Sequence, residues 1–154
     1  TNETLEKIKA AFGYEPEALL PEKESKEYEA CRFRLNRYQM VFRSSKITPT
    51  KTGQFVTIWK RTQAGPIAPL HENDSFDFVL IHSAKKTESG FFVFPKSVLV
   101  QKRIVSSPMK EGKRGIRVYA PWDNVESKQA KKTQEWQLQY FLSSTQSDGH
   151  NYLR

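Results

Sequence analysis

The chain has 154 residues, of which 37% are hydrophobic and 27% charged, and its formal net charge is +8. This length and balance favour one domain with a hydrophobic core over a disordered chain, and no run of about 18 apolar residues predicts a membrane span. The single cysteine, Cys31, excludes an internal disulfide framework, and the excess of positive charge points to an anionic partner, with nucleic acid ahead of a membrane surface or an acidic protein.

The N-terminal third is predicted to form one helix followed by strands. Apolar residues at helical spacing predict a helix over 3–13, and the acidic, proline-containing stretch 15–27 predicts a loop or a short helical turn. Alternating apolar and basic residues over 30–35 and 38–43 predict a β-hairpin, and 54–61 predicts a third strand. A charged helix at this end of the sequence is unlike a signal peptide, so we expect a cytoplasmic protein without a membrane partner.

The middle of the chain contains the most apolar run. Glycine and prolines predict a loop over 62–75, and 77–82 predicts a buried strand. Gly90 is interpreted as a turn before another strand over 91–94. Proline suits the first position of a helix, so a short helix is predicted from Pro95 through Lys102.

The C-terminal third is predicted to be a strand over 116–119, then a helix and a polar tail. Asp123 and Glu126 have the spacing of a capping box, which predicts a helix to about Leu142 and a frayed tail over 143–154. The resulting order of elements predicts an α/β (α+β) single domain over 1–142. Its centre is predicted to be a mostly antiparallel or mixed sheet flanked by helices.

The last predicted helix carries a polar ladder inside its apolar face. Gln129, Thr133 and Gln137 recur at intervals of four residues, whereas Lys128, Lys131 and Lys132 fall on the opposite, solvated side. Buried polar groups need hydrogen-bond partners. The ladder is therefore interpreted either as bonding to backbone at a sheet edge or as lining the floor of a groove.

A cationic, hydroxyl-rich loop over 46–54 is the strongest functional signal. Five cations and no acid occur between residues 43 and 61, and cations, hydroxyls and backbone donors are the groups that contact phosphate oxygens. Further basic points lie at Lys96 and around the turn 112–117, beside Trp122. Trp122 is interpreted either as a contact to a base or sugar, or as a packing residue at the start of the last helix. The predicted nucleic-acid-binding residues are Arg43, Lys46, Thr48, Thr50, Lys51, Gln54, Lys60, Arg61, Lys96, Arg114, Arg117 and Trp122.

Catalysis and metal binding have weaker signals. A metal-dependent nuclease needs at least two carboxylates, and the weak candidates for a catalytic centre are Asp77, Glu29 and Lys96. The segments 94–96 and 58–60 each end in lysine but lack the acid of an acid-x-Lys motif. No metal site and no cofactor are expected, with Mg²⁺ required only if the protein is a nuclease.

Five segments together resemble the MepB-like family. They are FRxxKITPTKxGQFVTxWKR (42–61), FPKSVL (94–99), GKRGIRVY (112–119), PWD (121–123) and KQAxKTQxWQ (128–137). The resemblance covers roughly residues 28–142 and implies a bacterial, intracellular protein with a restriction-endonuclease-like fold. It also implies a growth-arresting toxin of a toxin–antitoxin or prophage module, with an antitoxin as partner.

Three functions follow from these observations. The first is a nucleic-acid-binding protein for DNA or RNA that contacts phosphates through the basic loop and a groove. The second is a nuclease with a degenerate metal centre. The third is an interaction module for an acidic protein partner, such as an antitoxin or regulator.

Overall fold

The computed structural model describes residues 2–154. Within this range the chain forms helices α1 (Asn2–Phe12), α2 (Lys96–Gln101) and α3 (Lys128–Leu138), together with 3₁₀ turns at Lys26–Tyr28 and Gly149–Leu153. The strands are β1 (Glu17–Pro21), β2 (Cys31–Leu35), β3 (Tyr38–Ser44), β4 (Lys46–Ile47), β5 (Gln54–Thr57), β6 (Lys60–Arg61), β7 (Ile67–Ala68), β8 (Phe78–Lys85), β9 (Glu88–Pro95), β10 (Gly115–Val118) and β11 (Phe141–Ser143). None of the helices in the described range is long and apolar enough to cross a membrane.

A six-stranded sheet in the order β1-β2-β3-β8-β9-β11 forms the centre of the fold. β3 and β8 are parallel, and the other neighbours are antiparallel. A second sheet in the order β10-β5-β4 packs on one face of the first. This mixed sheet with few helices confirms the predicted α+β architecture.

The two faces of the central sheet carry two separate hydrophobic clusters. Alternation along β3, β8 and β9 places Val41, Val79 and Phe94 on one face, where they pack with the second sheet, α2 and α3. Residues such as Phe42 and Leu80 pack on the other face beneath α1 and the C-terminal 3₁₀ turn. β8 is buried on both faces, as its continuous apolar run predicts.

Several predicted boundaries are wrong for identifiable reasons. The stretch 15–27 contains the exposed edge strand β1, which pairs with β2 through the backbone and has no apolar alternation. The turn before β9 lies at 86–87, whereas Gly90 is within the strand. A Cβ at Gly90 would lie 2.6 Å from the carbonyl oxygen of Leu142, so glycine permits the close approach of β11.

The C-terminal third differs from the prediction in three further ways. α3 begins after Ser127, whose side chain accepts a hydrogen bond from the N–H of Ala130, while Asp123 accepts one from the N–H of Ala120 in the preceding turn. The helix ends at Leu138, and Leu142 belongs to β11. The tail is packed rather than frayed, because Leu153 is fully buried in the cluster beneath α1.

The pH dependence of stability should reveal a buried histidine on β8. His82 is 8% exposed, its Nε2 has no hydrogen-bond partner among the described residues, and its ring centroid lies 5.1 Å from that of Phe91. Burial, assisted by the positive charge of Lys7, lowers the pKa of His82 to about 4. The ordinary value is about 6.5, so the unfolded chain binds the proton more readily between these two values.

The free energy of unfolding should therefore fall as the pH falls below about 6.5, by about 1 kcal/mol between about pH 7 and about pH 5.5. The fall should level off below about pH 4. In urea titrations across this range, His82→Phe should flatten the dependence, and the same change at the exposed His150 should not. An equally steep dependence in His82→Phe would assign the effect to other groups.

Candidate functional site

A groove lies between the second sheet and α3. β10 pairs with β5 from Gly115↔Thr57 to Val118↔Gln54, and Gln137 of α3 joins the helix to β10. Its Oε1 accepts a hydrogen bond from the N–H of Tyr119 at 2.8 Å, and its Nε2 donates to the carbonyl of Arg117 at 3.1 Å. The groove encloses about 410 Å³.

The polar ladder of α3 matches both interpretations at once. Gln137 is 1% exposed and bonds to backbone at the edge of β10, while Gln129 and Thr133 line the groove together with it. The side chains of Gln129 and Thr133 make no hydrogen bond within residues 2–154, so their polar atoms remain available to a ligand. Gln137 is therefore structural, and the other two form part of the groove wall.

Four cationic side chains line the groove from four different parts of the fold. They are Lys51 in the loop before β5, Lys102 at the end of α2, Lys113 before β10, and Arg117 on β10. Of the described residues that line the cavity, none is an aspartate or a glutamate. The charged side chains that line this cavity are consequently all positive.

The loop 48–53 contributes Lys51 to the groove and is fixed by Arg117. The Nη1 of Arg117 donates to Thr48 Oγ1 at 3.0 Å and to the carbonyls of Thr52 and Gly53 at 3.3 and 3.4 Å. Gly53 has a φ of +81°, and a Cβ there would lie 2.6 Å from the ring of Tyr119. Only glycine fits this contact, which holds the end of the loop against β10.

The tip of the same loop has unused backbone donors. Within the described part of the chain, the N–H groups of Thr50, Lys51 and Thr52 donate no hydrogen bond, and all three residues are exposed. Two further depressions border the loop, one of about 470 Å³ beside Lys85 and one of about 250 Å³ at the start of α3. Lys51 lines all three concave surfaces.

The structure thus places part of the predicted binding set on one surface. Thr48, Thr50, Lys51 and Arg117 lie in or beside the groove, and Arg114 is exposed at the start of β10, 3.8 Å from Glu111. Lys46 is exposed on β4, with its ammonium 5.3 Å from the centre of the Tyr28 ring.

Two predicted contacts are corrected because their side chains are buried. Arg43 is 2% exposed, is paired with Glu22, and donates to the carbonyl of Thr57 at 3.0 Å. Gln54 is also 2% exposed. Its Oε1 accepts a hydrogen bond from Ser45 at 2.7 Å, and its Nε2 donates one to the carbonyl of Ala84 at 3.0 Å. Arg43 therefore cannot reach a ligand at the surface, and Gln54 borders the depression beside Lys85 with its amide already bonded inside the protein.

Trp122 follows the packing interpretation. Its ring packs edge-on against Phe141 at 5.8 Å between centroids and contacts the cluster under the second sheet. Its Nε1 is buried and has no partner among residues 2–154. Part of the side chain still borders the depression beside Lys85.

Lys60, Arg61 and Lys96 belong to a separate polar cluster. Lys60 pairs with Asp74 at 2.7 Å, Arg61 pairs with Glu24 at 2.7 Å, and Lys96 donates to backbone carbonyls of the loop before β8. Burial alone would raise the pKa of Asp74, but the hydrogen bonds from Lys60 and the backbone lower it below its ordinary value. These cations hold loops together and do not line the groove.

The candidate metal ligands lie at opposite ends of β3. Asp77 accepts a hydrogen bond from the N–H of Gln39 at 2.7 Å, whereas Glu29 accepts one from the hydroxyl of Ser44. Ser44 lies five steps along the strand from Gln39, a rise of roughly 16 Å. The two carboxylates therefore cannot share an ion, and the described residues contain no group of three His, Cys, Asp or Glu side chains that could hold one.

Lys102 and Lys113 line the groove but are absent from the predicted binding set. Lys113 lies beside the predicted Arg114, in the basic turn 112–117 that the sequence indicates. Lys102 lacks any local signal, because only the packing of α2 against α3 places its ammonium 5.2 Å from the centre of the Trp136 ring.

The comparisons with known proteins agree with the family resemblance. A family model described as MepB-like matches residues 22–143. The crystal structure of MepB is 34% identical, with a TM-score of 0.83 over 95% of this chain and 98% of that one. A bacterial homing endonuclease matches at 14% identity and a TM-score of 0.45 over 90% of this chain and 85% of that one, a likeness too distant to indicate an activity. Curated proteins provide no match.

Proposed function

We propose that this chain, which belongs to the MepB-like family, is a nucleic-acid-binding protein that holds phosphates in the groove between β10 and α3. The observation that carries the proposal is the convergence of Lys51, Lys102, Lys113 and Arg117 on a cavity without acidic lining residues. Side chains this far apart in sequence meet only through the fold. Their joint positive potential suits a polyanion.

The loop 48–53 beside the groove supports the proposal. Its tip offers unused N–H groups at 50–52, the hydroxyls of Thr50 and Thr52, and the ammonium of Lys51. Backbone amides, hydroxyls and cations are the groups that position a nucleic-acid backbone. Arg117 anchors both ends of this loop and thereby keeps these donors beside the groove.

The start of α3 adds a weaker contribution of the same sign. Ser127 and Ala130 line the groove, so the positive end of an eleven-residue helix faces the same space. The partial charge of a helix start is smaller than that of one lysine. It nevertheless extends the positive surface along the groove.

The test compares two triple variants with equal loss of charge. Lys51→Ala, Lys102→Ala and Lys113→Ala remove three exposed groove lysines, while Lys128→Ala, Lys131→Ala and Lys132→Ala remove three exposed lysines from the far side of α3. Binding of labelled oligonucleotides should weaken strongly in the groove variant. The slope of log K against log salt should become less steep by about 2–3, since each lost phosphate contact contributes about 0.7–0.9.

The far-side variant sets the contribution of net charge alone. It should keep most of the affinity and a nearly unchanged slope, because its lysines do not line the groove. Equal losses in both variants would contradict the assignment of the groove as the binding site. The family resemblance also implies a growth-arresting role, which would act through the same surface. Expression of the groove variant in cells should then arrest growth less than expression of the far-side variant.

A further inference from the structure

Three aromatic residues line the groove, Phe55, Tyr119 and Trp136, and the geometry of Trp136 suits stacking. Trp136 of α3 packs against Phe94 in the core, with 5.3 Å between centroids, and also lines the groove. On the groove side the ammonium of Lys102 lies 5.2 Å from the ring centre. The indole is therefore fixed by the core on one side and carries the Lys102 ammonium over its ring.

Lys102 can leave this position readily. It is exposed and forms no ion pair or hydrogen bond through its side chain within residues 2–154. A cation over an exposed aromatic ring is held weakly, whereas a phosphate attracts the ammonium by direct charge pairing. Arg117 covers Phe55 in a similar way, at 6.0 Å, but three hydrogen bonds hold it in place. Trp136 is thus the ring that a bound phosphate would uncover.

The groove wall near Trp136 offers hydrogen bonds to a flat polar ligand. Gln129 and Thr133 lie one helical turn apart and line the same cavity, and neither uses its side-chain donors or acceptors within the described part of the chain. An amide and a hydroxyl can bond to the edge of a base. Together with the indole they form the usual surroundings of an unpaired base, which stacks on an aromatic ring and bonds to polar side chains through its edge.

We infer that the groove accepts an unpaired base stacked on Trp136, with the adjacent phosphates held by Lys51, Lys102 and Lys113, so that single-stranded nucleic acid binds better than duplex. Bases inside a duplex are already stacked and paired and present no free face. This inference rests on the proposed function and adds the form of nucleic acid that the groove selects.

The experiment compares three labelled ligands of equal length with the unaltered protein. They are a single strand, a duplex of the same sequence, and a strand of abasic sugar phosphates. The single strand should bind about tenfold more tightly than the abasic strand, which is the range of one stacked base. Their salt slopes should agree because the phosphates are the same. The duplex should also bind more weakly than the single strand.

Trp136→Leu should lower the affinity for the intact strand to that of the abasic strand and leave binding of the abasic strand unchanged. A thermal melt of the variant verifies its fold, and the abasic comparison in the unaltered protein remains decisive if the variant fails to fold. Equal affinity for intact and abasic strands, or a preference for duplex, would overturn the inference while leaving the proposed function in place. Salt-insensitive binding, or none, with all three ligands would overturn both.

Discussion

Replacing Glu22 by alanine should lower the free energy of unfolding by about 3–5 kcal/mol. Arg43 is 2% exposed, and the carboxylate of Glu22 is its ionic partner. Burial lowers the pKa of Arg43 and Glu22 opposes that shift, yet a guanidinium stays protonated at any working pH. The variant would therefore leave a charged group buried without a counter-ion.

Arg43 cannot escape to solvent without breaking other contacts. It donates to the carbonyls of Phe42, Thr57 and Trp59, at 2.8, 3.0 and 3.4 Å. The last two belong to the segment where β5 ends and the chain turns towards β6. The guanidinium thus bonds the carbonyls of Thr57 and Trp59 at the point where the strand predicted over 54–61 is interrupted.

The matched control is Glu24→Ala, two residues away. Glu24 pairs with Arg61 at 2.7 Å, but both side chains are more than 40% exposed. Exposed pairs contribute about 0–1 kcal/mol, so this variant should unfold at nearly the same urea concentration as the unaltered protein. Similar losses in the two variants would show that the buried guanidinium is solvated or relaxes, contrary to the structure.

The central strands could be predicted from the sequence because their signal is intrinsic. β8 and β9 are apolar runs between polar turns, and β2 alternates apolar with basic residues. β3 departs from the predicted alternation, because Met40, Val41 and Phe42 are consecutive and the strand is buried on both faces. β1 and β11 lack this signal because they are edge strands that depend on a neighbour's backbone. The sequence pattern therefore places most of β11 in the predicted helix that ends at about Leu142.

The candidate site was predictable only in part, for the same reason. Loop composition identified Lys51, and alternation along a strand identified Arg117. Nothing in the local sequence distinguishes the buried Arg43 from the exposed Lys51, because the residue type gives the charge of a side chain but not its burial. Lys102 and Trp136 enter the groove only when α2 and α3 pack against the second sheet.

The last prediction concerns Gln137, the residue that forms the groove by joining α3 to β10. Gln137→Leu would leave the N–H of Tyr119 and the carbonyl of Arg117 without their partners at a buried helix–sheet contact. Each buried group left unpaired costs about 1–3 kcal/mol, so the variant should lose roughly 2–5 kcal/mol in urea unfolding.

Gln129→Leu provides the control for this prediction, since it makes the same change on the same helix. The side chain of Gln129 lines the groove and makes no hydrogen bond within the described residues. Its replacement should therefore change the free energy of unfolding by less than about 0.5 kcal/mol. Under the proposed base contact, Gln129→Leu should instead weaken oligonucleotide binding. Equal stability of Gln137→Leu and Gln129→Leu would mean that the two hydrogen bonds between Gln137 and β10 do not hold α3 against the second sheet. Loss of stability in Gln137→Leu and loss of binding in Gln129→Leu would separate the two roles along one face of α3. The reason is that Gln137 is already bonded to β10, whereas the side chain of Gln129 is not.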